Sequence, residues 1–435
     1  MSSTPNPHRI LSLDGGGRWS LISVMALQRI FGERAGGHEI LKNFDLVAAN
    51  SGGSIVLGAL AENITLDRVL ELFCTSGMLF QRESFFSPSG LYHFLTRHLL
   101  HVGPKYDTEK KLVALIKLLP KFGSEKLTDL PKLIQQSTGH TTHFLIVGFD
   151  YDWKRAKYFR SNAESLASSS GPTEASLAQA IHASSTAPVN YFDAPARLPG
   201  SVVLGNRFWD GAVTGLNNPV IAAVTEALAN GQGRVTHRDI RVLSLGTGAV
   251  SLPVVAHSSP KERGLVNIAE RSSLFHDLQE LSGSILDDPP DSASFEAWIM
   301  LGNPVPSTPH DTLLASELSR NPEPVSLVRM NPLARPHKLA AGEWAPPVGL
   351  TQEEFRRLTN VELDAPVPQD VRLLVKFAQA WLDDDVPNQP IRENPYTFVP
   401  RIGHSKFSEA FAAWNARTSR DFEQRERSSE RRPLK

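Results

Sequence analysis

Two short apolar runs, each broken by glycines and resumed at helical spacing, constrain this chain more than any other feature. Residues 9–13 read as a buried strand and run straight into Asp14-Gly15-Gly16-Gly17-Arg18. Beyond it Ile22, Met25, Leu27, Ile30 and Phe31 fall near helical spacing through residues 19–33. Residues 44–49 repeat the pattern, followed by Asn50-Ser51-Gly52-Gly53-Ser54 and an apolar helix-forming run over 55–61. Two strand–turn–helix units in the first 62 residues are the signature of an α/β fold with parallel strands.

Later segments keep the alternation. Residues 143–150 form a strong strand, with 156–160 as its hairpin partner across Asp152-Trp153-Lys154. A helix follows over 174–183, then two strand pieces, 202–204 and 207–209, flanking the Gly205-Asn206 turn signal. Asn218 with Pro219 caps a helix running to residue 229. Further strands are expected at 241–245 and 325–330, and an amphipathic helix at 371–382. Pro, Ser and Asp clusters interrupt residues 251–347, which read as a lid, a cap or irregular packing. Residues 419–435 are charge-dense with almost no apolar content, as a disordered or frayed tail is. The expected organisation is one domain over 8–400, then a C-terminal helix and charged tail over 401–435.

Composition narrows the function. A hydrophobic fraction of 41% with 21% charged residues suits a large buried core. Lys and Arg number 45 against 46 Asp and Glu, so no bulk charge favours nucleic acid. Cys74 is alone and cannot form an internal disulfide, which fits a reducing compartment. No apolar signal segment is visible in residues 1–8, and no run of about 18 apolar residues occurs anywhere. The expectation is a soluble, cytoplasmic protein.

Three elements carry candidate chemistry. Ser51 lies between a strand and a helix and precedes two glycines, Gly52 and Gly53, as a nucleophile elbow requires; a plain serine turn is the bland alternative. Gly15, Gly16 and Gly17 leave their N–H groups unobstructed for an oxyanion. A dinucleotide loop fails because Ser20 stands where its last glycine belongs, and no Gly-Lys-Ser/Thr makes a phosphate loop. Asp210-Gly211-Ala212 puts an acid at a strand end, though Asp-Gly is also an ordinary turn signal. The 14 histidines are scattered without metal spacing, so neither a metal nor a cofactor is expected.

Taken together, and in this order, these elements resemble the patatin-like phospholipase family. Gly15, Gly16 and Gly17 match its oxyanion loop, Ser51 its nucleophile, Gly53 the closing glycine of the elbow, and Asp210 the acid of its Asp-Gly-Ala motif. Residues 183–188, Asn218-Pro219 and residues 244–248 also fall where the family has them. The resemblance spans about residues 8–250 and extends more loosely to about 385. Three departures stand out: Arg18 follows the glycines directly, Ala49 replaces the first elbow glycine, and Ser54 replaces a frequent second glycine. Asp14, Arg18 and Gly211 are candidate supporting residues.

The resemblance implies a three-layer α/β/α sandwich with a mainly parallel central sheet. It also implies a lipid acyl hydrolase of phospholipase A or lysophospholipase type. Ser51 would attack a fatty-acyl ester and Asp210 would take its proton, a dyad without histidine. Phospholipid substrate and transient peripheral membrane contact follow from the same resemblance. Two alternatives stay open: a Ser-Asp-His triad using a late histidine such as His404, and a non-catalytic acyl-lipid-binding protein on the same fold. The aromatic stretch at 78–100 reads as core or acyl channel. Lys105, Lys110, Lys111, Lys117, Lys121 and Lys126 read as a solvated face or a patch for anionic headgroups.

Overall fold

The computed structural model describes residues 7–75, 106–162, 175–188, 191–198, 206–230, 235–256, 259–268, 291–304, 326–393 and 400–416. The aromatic stretch at 78–100, the strand piece at 202–204 and the tail at 419–435 lie outside the described residues.

Chain order gives β1 (His8–Leu13), α1 (Leu21–Phe31), β2 (Leu46–Ala49), α2 (Ser51–Ala61), α3 (Thr108–Leu118), β3 (His143–Asp150) and β4 (Arg155–Arg160). There follow α4 (Leu177–Ser184), β5 (Ala196–Arg197), β6 (Arg207–Asp210), α5 (Val220–Asn230), β7 (Ile240–Leu245), β8 (Leu327–Met330) and α6 (Pro368–Leu382). One sheet runs in the order β8-β7-β1-β2-β3-β6-β5, with β4 also on β3. Neighbours from β8 to β3 are parallel; β4, β6 and β5 are added antiparallel.

Strand alternation sends side chains to opposite faces and builds two cores. Leu11, Leu13, Val47, Ala49, Ile146 and Leu243 join the larger core with α1, α2, α4 and α6. Their neighbours Ile10, Leu46, Ala48, Leu145 and Val242 join the other, under α5 and the helix Asp291–Met300. Helices therefore cover both faces, and the architecture is a three-layer α/β/α sandwich with a mostly parallel sheet. Residues 407–416 are helical, and Phe407, Ala410 and Trp414 pack into the larger core.

The register of β3 contains the feature that places the site. Leu145 and Ile146 pair with Ala48 and Ala49 of β2, while Gly148–Asp150 pair with Phe208–Asp210 of β6. Over both stretches the other edge of β3 is taken by β4. A strand has two edges, so β2 and β6 must lie end to end along the same edge, abutting opposite Val147. The C-terminal ends of two oppositely directed strands thus face each other across a single residue.

Two expectations shift in detail. The helix after Ser51 begins at Ser51 itself and not at Ile55. Its first turn lies so close to β1 that a Cβ at Gly53 would stand 2.5 Å from the carbonyl oxygens of Leu13 and Asp14. The described partner of β6 on the edge away from β3 is Ala196–Arg197. The difficult stretch 251–347 contributes the helix Asp291–Met300, the edge strand β8 and short two-residue pairings.

Candidate active site

The glycine loop is fastened at its start and open at its end. Asp14 continues the ladder through its N–H to Leu245 O at 3.0 Å. Its carboxylate takes both Nη atoms of Arg329, at 2.9 and 2.5 Å, with both side chains buried. Burial pushes the Asp14 carboxyl up, and Arg329 opposes the shift. Asp14 is thus a buried strut to β8. Gly15 is spent as well: its N–H donates to Asn217 O at 2.8 Å and its carbonyl accepts from Thr247 Oγ1 at 2.7 Å. That removes Gly15 from the expected set of oxyanion donors. Among the described residues no acceptor engages the amides of Gly16 or Gly17. Gly17 has φ 55°, and a Cβ there would stand 2.5 Å from Leu363 O. The third position must therefore be glycine on two counts.

Arg18 is buried, and its Nη1 donates to Ala365 O at 2.8 Å. Its guanidinium thus ties the loop to the 360s, a supporting role that is structural.

Ser51 sits at φ 47°, directly after Asn50 in extended backbone. A left-handed serine is strained, and the strain is what turns the chain sharply enough to present the side chain. Gly52 follows because a Cβ there would meet Ser20 Oγ at 2.3 Å and Gly17 O at 2.4 Å. The elbow is held by the Ser51 N–H donating to Ser184 Oγ at 3.0 Å and by Ser54 Oγ donating to Ser51 O at 2.5 Å. Ser54, a departure from the family pattern, thus uses its hydroxyl to brace the carbonyl of Ser51.

Asp210 meets Ser51 across the gap opposite Val147. Its carboxylate accepts the Ala212 N–H at 2.9 Å and Asn50 Nδ2 at 3.2 Å, and the Ser51 hydroxyl beside it favours its charged form. It is 2% exposed, and that burial pushes its pKa above the ordinary aspartate value, while the hydrogen bonds and the Lys111 charge pull it back. Gly211 is needed beside it: a Cβ there would stand 2.3 Å from Asn50 Oδ1 and 2.8 Å from Val147 O.

Several residues that local sequence did not single out complete the cleft. Asn50 Nδ2 bridges Asp210 and, at 3.4 Å, Asn217 Oδ1, while its Oδ1 accepts from Ser184 Oγ at 3.3 Å. Lys111 corrects the reading of the 105–126 lysines as one solvated face. Lys110, Lys117, Lys121 and Lys126 are exposed, but Lys111 turns inward, buried, and lines the cleft with Ser51. Its Nζ donates to Thr186 Oγ1 at 3.0 Å and His182 O at 3.3 Å, and it stands 4.4 Å from the Phe192 ring centroid. Ile55, Ala187, Phe192 and Leu363 supply apolar wall, and the buried Asp364, which accepts from the Tyr106 hydroxyl, lines the cleft as well.

No histidine lines this cleft among the described residues. His404 lies elsewhere and is half-buried, its carbonyl accepting from Asn388 Nδ2 at 2.9 Å and its imidazole pKa lowered by desolvation. Among the described residues no group of three His, Cys, Asp or Glu is placed to hold a metal ion. No helix among them is long and apolar enough to cross a membrane.

No curated protein matches the chain. Among solved structures, VipD from Legionella pneumophila is similar at 12% identity and a TM-score of 0.33, covering 87% of this chain and 68% of VipD. Human GIVD cytosolic phospholipase A2 is similar at 16% identity and a TM-score of 0.22, covering 36% of this chain and 22% of the human protein. The type III effector protein ExoU has the same identity and TM-score, 16% and 0.22, over 42% of this chain and 40% of its own. At such TM-scores these likenesses are partial. The family match is direct: the model described as Patatin-like phospholipase covers residues 11–224. Over that span, which holds the glycine loop, Ser51 and Asp210, the chain matches the patatin-like phospholipase family.

Proposed function

We propose that this protein hydrolyses fatty-acyl esters of glycerophospholipids, as a phospholipase A or lysophospholipase, through a Ser51 acyl-enzyme. The observation that carries the reading is Ser51 at a left-handed elbow, lining a cleft with apolar walls and backed by the buried Asp210 carboxylate. In the first step Ser51 Oγ bonds to the acyl carbon and its proton passes to Asp210. The oxyanion is received by the Gly16 and Gly17 amides. Collapse breaks the ester bond, and the leaving alcohol takes the proton back from Asp210. Water then gives a proton to Asp210 and attacks the acyl-serine; collapse releases the fatty acid, and Ser51 Oγ takes the proton back from Asp210.

Ordinary aspartate is a weak base near neutrality, and desolvation of Asp210 strengthens it. This makes histidine unnecessary, in keeping with the position of His404 away from the cleft. One catalytic domain over 8–400, extended by 401–435 and touching lipid surfaces from outside the bilayer, fits the same reading.

A fluorophosphonate that labels serine hydrolases tests it. Covalent modification at Ser51, lost in Ser51→Ala and Asp210→Asn, is the expected result. Folded protein that binds acyl lipid yet takes no label would favour the non-catalytic binder.

A further inference from the structure

A cation buried inside a hydrolase cleft needs a reason, because taking an ammonium out of water is costly unless a counter-charge compensates it. Lys111 projects from α3 into the cleft that Ser51, Gly52 and Gly17 also line. Two neutral acceptors, Thr186 Oγ1 and His182 O, hold its Nζ. The same Thr186 accepts the Asp210 N–H through its carbonyl at 2.8 Å, so one residue fixes both the cation and the acid.

The other titratable groups around the pair leave Lys111 and Asp210 to each other. His182, on α4, is driven down to about 2 by burial, with the Lys111 charge adding to the shift, and is neutral through the working range. Asp364, across the cleft, accepts from Tyr106, and Tyr191 stands on the wall. Among the groups that shift the Asp210 carboxyl, Lys111 is the one cation.

We infer that Lys111 is a positioning residue that serves as the resident counter-charge of the Ser51–Asp210 pair. Before reaction it holds Asp210 as the carboxylate that can accept a proton. When the proton has moved, the negative charge has passed to the oxyanion beside Gly17, on the same cleft, and the ammonium remains compensated. This role rests on the proposed serine chemistry and adds the group that keeps its base ionised. Burial lowers the Lys111 pKa well below the usual lysine range, so its own titration sets an alkaline limit.

The test is the pH profile of kcat/KM on a soluble short-chain acyl ester, for wild type, Lys111→Arg, Lys111→Gln and Lys111→Met. Gln retains a donor for Thr186 and His182 without charge, and Arg retains the charge without titrating. The expected result is an acid limb moved up by about one pH unit or more in Gln and Met, about a tenfold loss at fixed acid pH. Arg should keep the wild-type acid limb and lose the alkaline one. Folded Gln or Met variants whose acid limb stays in place would overturn the inference and leave Lys111 a structural group. If both charge-free variants fail to fold, Arg decides: an alkaline limb that persists unmoved also overturns it. Activity that survives Ser51→Ala is a separate outcome and counts against the serine reading itself.

Discussion

Ser51 and Asp210 face each other because the strands that carry them approach head-on along one edge of β3, leaving a gap one residue wide opposite Val147. No local sequence feature makes this contact; 159 positions of chain separate the two residues, and the register of a third strand joins them. Asp210 also caps the turn that follows it through the Ala212 N–H, so the acid cannot swing away without losing a buried hydrogen bond.

Acid pH should silence the enzyme earlier than an ordinary aspartate would. In the proposed mechanism Asp210 acts as a carboxylate, and burial raises its pKa above 3.8, so activity should fall as pH drops through that raised value. A kcat/KM profile should therefore show its acid limb above pH 3.8. Full activity maintained to that pH would argue against Asp210 as the base.

The two ends of the glycine loop should separate catalysis from folding. Gly17→Ala strains a left-handed position and displaces the expected oxyanion donor, and should cut kcat by about 10²–10³. Gly15→Ala instead drives a methyl to within 2.2 Å of Asn217 Oδ1, and should lower the melting temperature first. Equal kinetic and thermal losses in both variants would contradict this division.

Backbone strain at the elbow gives a stability signature. Ser51→Gly and Ser51→Ala should both be inactive, but glycine removes the cost of φ 47° and alanine does not. Glycine should be the more stable of the two by about 1 kcal/mol, measured by denaturant unfolding. A less stable glycine variant would show that the elbow is not strained.

The Asp14–Arg329 pair should be a stability element with a definite pH response. Arg329→Met strands a buried carboxylate and should cost about 3–5 kcal/mol near neutrality. The Asp14 pKa is raised in the folded state, so the protonated acid favours folding and that benefit is lost as pH rises through the raised value. The Arg329→Met defect should accordingly shrink in acid, and Asp14→Asn should recover much of it. A defect that grows as pH falls would refute the assignment.

Glycine loop, elbow and acid were legible in the sequence because each imposes a local steric demand that few residue types satisfy. The strand of 143–150 and the Asn218 cap were legible for the same reason: alternation and capping are local. Lys111 was not, since five neighbouring lysines make one continuous basic stretch and only the packing of α3 against α4 decides which of them turns inward. Asn50 gave no signal, because its value lies in bridging Asp210, Asn217 and Ser184, all remote in sequence. Gly15 looked equivalent to Gly16 and Gly17 until Asn217 claimed its amide. The partner of Asp14 lies 315 residues away and could be named only once β8 was placed.

The most direct measurement is fatty-acid release from mixed phospholipid vesicles by wild type, Ser51→Ala, Asp210→Asn and His404→Ala. The account expects release by wild type and His404→Ala, and a loss of at least about 10³ in the other two. Release that survives Ser51→Ala or Asp210→Asn in folded protein, or that vanishes in His404→Ala, would contradict a Ser51–Asp210 dyad.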